Sequence, residues 1–175
     1  FAPTGRVYED ISAGGHHACA LDESGEIWCW GAGSGSTLFD CEYPAIQCAQ
    51  AQPPIGSGYE PLAMGAAHSC ALDASGDAEC WGYSGSGRTS PPLGEQFIEL
   101  AGGDRHTCGI NSLNAVRCWG VGESASASTS HDCLDYGACG QAAPPSGEYL
   151  DVGAGGRHSC ATDFISGEAI CWGDN

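Results

Sequence analysis

The chain has 175 residues and a formal charge of −17, with five arginines and no lysine. That balance offers no basic face to displace counterions from nucleic acid and is repelled by anionic membrane surfaces. Twelve cysteines without a single CxxC pair point to disulfides and an oxidising, extracellular compartment, and no apolar run is long enough for a membrane-spanning helix.

In chain order, residues 1–5 (FAPTG) are a short lead-in with no charged-then-apolar leader, so the expected form is mature, any secretion signal having been removed. Residues 6–13 alternate as a strand carrying Tyr8, which Gly14 and Gly15 break. Residues 17–21 read as a second strand, Asp22 to Gly25 as a tight turn and residues 26–30 as a third strand. The stretch GGHHACALDESGEIWCWG (14–31) then returns as GAAHSCALDASGDAECWG (65–82), GDRHTCGINSLNAVRCWG (103–120) and GGRHSCATDFISGEAICWG (155–173). Upstream, Tyr8, Tyr59, Phe97 and Tyr149 each precede an aliphatic residue by three positions: Ile11, Leu62, Leu100 and Val152. The chain is therefore a repeat protein. In the third copy Asn114 takes the turn position of Gly25, where Asn tolerates the left-handed conformation. The fourth copy has one extra residue between its cysteines. No window has a helical period, so the expectation is all β.

The repeat histidines His17, His68, His106 and His158 are 51, 38 and 52 residues apart. The units are therefore read as about 6–55, 56–93, 94–146 and 147–175 within a single domain, itself a tandem duplication of 1–90 and 91–175. The two long inserts match in kind, with Cys41 and Cys48 before a Pro-Pro pair in one and Cys133 and Cys139 before another in the second. Both are expected to be surface loops, and their Ser- and Thr-rich flanks could carry O-linked sugars.

Alternation places His17, Cys19 and Leu21 on one face of the first hairpin, opposite Ile27 and Cys29, and turns Ala18, Ala20, Trp28 and Trp30 the other way. The small-residue seat beside an indole is expected again as Ala71 with Trp81, Gly109 with Trp119 and Ala161 with Trp172. Such a sheet cannot bury its apolar surface alone, so the units must stack. Hairpin symmetry suggests disulfides Cys19–Cys29, Cys70–Cys80, Cys108–Cys118 and Cys160–Cys171, with Cys41–Cys48 and Cys133–Cys139 paired locally. Zinc held by His17 with Cys19 is the weaker reading, because zinc sites favour closely spaced cysteine pairs and extracellular thiols oxidise.

No phosphate loop, dinucleotide fingerprint or nucleophile elbow is present, and the turn at Asp22 is too short for a twelve-residue calcium loop. Catalysis by a repeat histidine would have to occur four times or in one accidental copy. The expectation is no catalytic, cofactor or metal residue, with His17, His68, His106 and His158 structural, each hydrogen-bonded within its own unit, and Trp30, Trp81, Trp119 and Trp172 as packing residues.

The unit, carried in its first copy by Ile11, Gly14, His17, Leu21, Gly25, Trp30 and Gly31, resembles the repeat of the regulator of chromosome condensation superfamily. Its cysteines resemble those of a secreted bacterial branch related to a β-lactamase inhibitor protein. The resemblance implies a β-propeller, usually of seven blades, that binds partners through loops on one face. Here four units make a propeller-like array, closed on itself or completed by a neighbouring subunit. The leading expectation is a secreted, non-catalytic structural protein assembling head to tail into a filament or surface layer, with residues 1–13 joining the last repeat of a neighbour. The rival is a monomeric extracellular binding module or inhibitor that grips a protein or glycan through the two cysteine-tied loops.

Overall fold

The computed structural model describes residues 2–34, 49–123 and 139–174. Among the described residues, twelve strands form four three-stranded antiparallel sheets. The first holds β1 (Tyr8–Ala13), β2 (His17–Asp22) and β3 (Ile27–Gly31); the second β4 (Leu62–Met64), β5 (His68–Leu72) and β6 (Ala78–Gly82). The third holds β7 (Phe97–Gly102), β8 (His106–Asn111) and β9 (Val116–Gly120); the fourth β10 (Tyr149–Ala154), β11 (His158–Asp163) and β12 (Ala169–Gly173). Strand order follows chain order in every sheet, and β1, β4, β7 and β10 lie side by side from sheet to sheet.

Each sheet is a meander whose register brings its two cysteines directly opposite, as in Cys19↔Cys29 and Cys108↔Cys118. The disulfides Cys19–Cys29, Cys70–Cys80, Cys108–Cys118 and Cys160–Cys171 are formed, with Cα atoms 4.0–4.1 Å apart. The extra residue of the fourth copy sits in the β11–β12 turn and leaves the Cys160↔Cys171 pairing intact. Asn114 takes its turn position with φ 58°, as Gly25 does with φ 73°. First strands β1, β7 and β10 carry a bulge between their first and third positions. The second sheet has Pro61 at that place, without an N–H to donate, and its strand begins only at Leu62.

The core is divided between the sheets. Cys19, Leu21 and Ile27 of the first sheet meet Tyr59, Leu62, Ala71 and Trp81 of the second. Cys70 and Leu72 meet Phe97, Leu100 and Trp119, and Cys108, Ile110 and Val116 meet Tyr149, Val152, Ala161 and Trp172. The first three sheets thus each have a face bearing His, Cys and an aliphatic residue, with Thr162 at the aliphatic position of the fourth, and every sheet has a second face bearing an aromatic residue, an aliphatic residue and Trp. The apolar surface that one sheet cannot bury alone is buried against the next, as expected of a stacked repeat.

Residues 1–13 were expected to join a neighbour. Here Tyr8–Ala13 pairs with β2 inside the first sheet as its edge strand. Cys139 is disulfide-bonded, whereas Cys41, Cys48 and Cys133 lie outside the described residues.

Candidate functional site

Histidines repeated at one position are the groups with chemical capability, and the fold places them at the sheet boundaries. His17, His68 and His106 head the second strands and are buried. The glycine three residues earlier clears the space for each ring: a Cβ on Gly14 would stand 2.6 Å from His17 Cε1, and a Cβ on Gly65 or Gly103 would collide with the ring of His68 or His106.

The ring does not bond within its own unit as expected. His17 Nε2 lies 2.7 Å from Ser69 Oγ, His68 Nε2 lies 2.9 Å from Thr107 Oγ1 and His106 Nε2 lies 2.7 Å from Ser159 Oγ. Each partner belongs to the next sheet and immediately follows that sheet's own histidine. Ser69 Oγ donates to the Gln50 carbonyl at 3.1 Å and Ser159 Oγ to the Gln141 carbonyl at 3.0 Å. A carbonyl can only accept, so the single hydroxyl hydrogen is committed there and the serine must accept from histidine. His17 and His106 are therefore the Nε2–H tautomers. Their Nδ1 atoms, and that of His68, are buried without a partner.

Backbone carbonyls also tie the tryptophans, and two of them are the carbonyls that hold the serines. Trp81 Nε1 donates to Gln50, Trp119 Nε1 to Arg88 and Trp172 Nε1 to Gln141, at 2.9–3.0 Å. Each acceptor lies in the connection leading into the sheet it serves. The residue directly across from each of these indoles is Ser69, Thr107 or Ser159, whereas the expected seat of Ala71, Gly109 or Ala161 lies diagonally. In the first sheet Ala18 is the residue across from Trp30, and Trp30 packs on Tyr8 with ring centroids 6.3 Å apart.

Burial holds these imidazoles neutral. Desolvation, with a smaller push from His16, lowers His17 to about 4. Desolvation and then the Arg88 charge lower His68 to about 3, and desolvation and then His158 lower His106 to about 4. A group so hard to protonate, with its N–H already committed to a serine, is ill suited to shuttle protons near neutrality. His158 heads the fourth sheet and is exposed.

Outside these boundaries the surface is acidic grooves and a glycine-lined floor. A groove of about 510 Å³ between the first two sheets is lined by Glu9, Asp10, Asp22 and Glu60 among others. A second, of about 790 Å³, runs between the second and third sheets past Asp73 and Glu99. At the opposite rim the loops 13–15, 64–66, 102–104 and 154–156 converge around about 330 Å³, lined by Gly, Ala, Met64 and Asp104. Asp22 is held near 2, chiefly by the Ser24 hydroxyl that donates to it, and it also receives Trp28 Nε1 at 3.0 Å. Glu99 is raised to about 7 by partial burial and then by its hydrogen bond to Asp151. Among the described residues no group of three or more His, Cys, Asp or Glu is arranged to hold a metal ion. The cysteine partner that a His17–Cys19 zinc site would need is consumed by a disulfide.

Residues 5–35 match the family model described as the regulator of chromosome condensation (RCC1) repeat. The chain is 33% identical to the human E3 ubiquitin-protein ligase HERC2 over 79 residues, which is 42% of this chain and 2% of that protein. Among solved structures it is similar to the CRINKLY ectodomain of the Arabidopsis thaliana receptor kinase ACR4, with TM-score 0.66 and 25% identity over 98% of this chain and 51% of that one. It is also similar to yeast RCC1 (Prp20) bound to Kap60, with TM-score 0.68 and 21% identity over 97% of this chain and 42% of that one. The chain spans about half the length of these structures. Its four sheets match RCC1 propeller blades, and the array is a partial propeller with one disulfide in each blade.

Proposed function

We propose that the chain is a non-catalytic extracellular module that binds a macromolecular partner through an RCC1-type blade array. The observation that carries this reading is the disulfide repeated at one register position in all four sheets, a construction that suits an oxidising compartment. The similarity to a receptor ectodomain supports the same setting. The histidines support the absence of chemistry, since the three buried ones are neutral and at least two spend their N–H on the neighbouring blade.

The test is a thiol count on protein produced through a secretory route and, separately, in a reducing cytosol. The secreted protein should have its blade cysteines blocked as disulfides, and the cytosolic form should be markedly less stable. A reduced form as stable as the oxidised one would remove the support for an extracellular role.

Head-to-tail assembly of copies into a filament or surface layer is the second reading. It is favoured by the exposure of Ile11 (64%) on the first sheet and of Cys171 on the fourth. Native particle size by light scattering at several dilutions distinguishes a polymer from a monomer.

A further inference from the structure

Backbone hydrogen bonds tie the turn between the second and third strands of one blade to the start of the next, and so gather one rim of the array. Tyr59 N donates to the Gly25 carbonyl at 3.1 Å, Phe97 N to the Gly76 carbonyl at 2.7 Å and Tyr149 N to the Asn114 carbonyl at 2.8 Å. Within the third blade Ser112 N donates to the Gln96 carbonyl at 3.1 Å. Three aliphatic side chains stand beside these links. Ile98 and Leu150 follow Phe97 and Tyr149, and Leu113 is in the turn bonded to both strand starts. They are 60%, 54% and 76% exposed. The fourth sheet is in place beside Ile98 and Leu113, so their exposure belongs to the rim itself.

The first two blades carry different chemistry at the same repeat positions. Glu9 and Glu60 stand where the later blades have Ile98 and Leu150, and Ser24 and Ser75 stand where the third has Leu113. The groove between the first and second sheets and the groove between the second and third share Gly58, Glu60 and Pro61, so they form one acidic trough. Among the described residues no arginine lines either groove, and Arg6 reaches the trough only at Asp22, at 3.4 Å. Ile98 lines the trough from the third sheet, while Glu60 and Asp73 line it from the second.

Aliphatic side chains left in water beside carboxylates are complemented by a surface that brings both apolar area and positive charge. This chain does not supply one. Residues 35–48 and 124–138 contain neither lysine nor arginine, and a second copy brings a further charge of −17. Nucleic acid and anionic lipid surfaces are repelled by the same carboxylates.

We infer that this rim, from the acidic trough to Ile98, Leu113 and Leu150, docks a segment of another protein that carries aliphatic or aromatic side chains next to lysine or arginine. The inference rests on the reading of the chain as a binding module, and it specifies the surface used and the chemistry the partner brings. The aliphatic residues supply the contact that loses water, and Glu9, Glu60 and Asp73 supply the attraction that orients the segment.

The test uses the full-length oxidised chain and a displayed library of short random peptides. Two variants accompany the wild type. Ile98→Glu/Leu113→Ser installs the residues that the repeat itself has in its second blade, Glu60 and Ser75, and Glu9→Gln/Glu60→Gln removes charge while keeping shape. Unaltered urea midpoints establish that each is folded, and either one suffices for the comparison. Selected peptides should join apolar residues to lysine or arginine. A synthetic copy of the consensus should bind the wild type roughly tenfold or more tightly than either variant, and more weakly as salt rises. Enriched peptides without basic residues, or a consensus that binds the wild type and the folded variants alike, would overturn the inference and leave the module reading standing. Self-association of the wild type that Ile98→Glu/Leu113→Ser abolishes would overturn it too, because the occupant would then be a second copy, and so would a library from which no peptide is enriched. Failure of the module reading is seen separately, in the thiol count.

Discussion

His17 donates through Nε2 to Ser69 Oγ across the boundary between the first two blades, at 2.7 Å, and Ser69 passes its own hydrogen to the Gln50 carbonyl. Side chains from two blades and the backbone of the connection between them are thereby joined in one chain of hydrogen bonds, with Trp81 donating to the same carbonyl. The arrangement recurs with His106, Ser159, Gln141 and Trp172. It makes the boundary directional and satisfies most of the polar groups that stacking takes out of water.

Removal of the acceptor should therefore cost more than loss of a surface hydroxyl. Ser69→Ala strands a buried N–H and is expected to destabilise the chain by about 1–3 kcal/mol. A double-mutant cycle with His17→Phe should return a coupling of about 1 kcal/mol or more, measured by urea unfolding. Additive effects of the two substitutions would mean that the contact carries no energy.

Acid should loosen the array in a defined window. In the unfolded chain these histidines titrate near 6.5, whereas the fold holds His17 and His106 near 4 and His68 near 3. Between those values the unfolded chain binds protons that the folded chain refuses, so stability is full above about 6.5 and falls as pH drops toward about 4, by up to about 3 kcal/mol per histidine. Glu99 acts in the opposite sense. Its folded value is raised to about 7, so it adds stability as pH falls from there toward its unfolded value near 4.3. Melting temperatures recorded from pH 7.5 to 4.5 should decline, and Glu99→Gln should make the decline steeper.

Much of this architecture was legible before any coordinates. Side chains alternate along a strand, so cysteines ten residues apart around a tight turn must face each other, and the aromatic, aliphatic and His positions recur at fixed offsets. The histidine's partner was less visible because the bond joins position n of one copy to position n+1 of the next, 52 residues away for His17 and Ser69. Its one local signal was Ser69, Thr107 and Ser159 after the histidines of the last three copies, with Ala18 in the first. The Ala71, Gly109 and Ala161 row is a smaller seat on the same face. The Gln50 and Gln141 carbonyls left no trace in the residue pattern, because a backbone acceptor has no side-chain signature.

The disulfides should not be equally open to reductant. Cys19, Cys70 and Cys108 are fully buried at blade boundaries, whereas Cys171 of the fourth blade is exposed on the open face. Under native conditions a mild thiol should therefore reduce Cys160–Cys171 before Cys19–Cys29, Cys70–Cys80 or Cys108–Cys118, because exchange needs access to sulfur. Differential alkylation followed by peptide mass spectrometry reads the order. Equal reduction of all four would mean that the blade boundaries open together.

Two glycine substitutions in neighbouring repeats should separate packing from propensity. A Cβ on Gly103 would collide with the His106 ring, while one on Gly153 meets nothing within 4 Å. Gly103→Ala should destabilise by about 1–3 kcal/mol through overpacking, and Gly153→Ala should be close to neutral. A comparison of thermal midpoints decides.

The central claim is that the repeat histidines are neutral tethers between blades, and ¹⁵N imidazole NMR of the intact chain tests it most directly. His17 and His106 should each show a protonated Nε2 and a bare Nδ1, unchanged from pH 7 down to about pH 5, as their lowered titration requires. Imidazolium signals near neutral pH, or the Nδ1–H tautomer at either residue, would contradict the account.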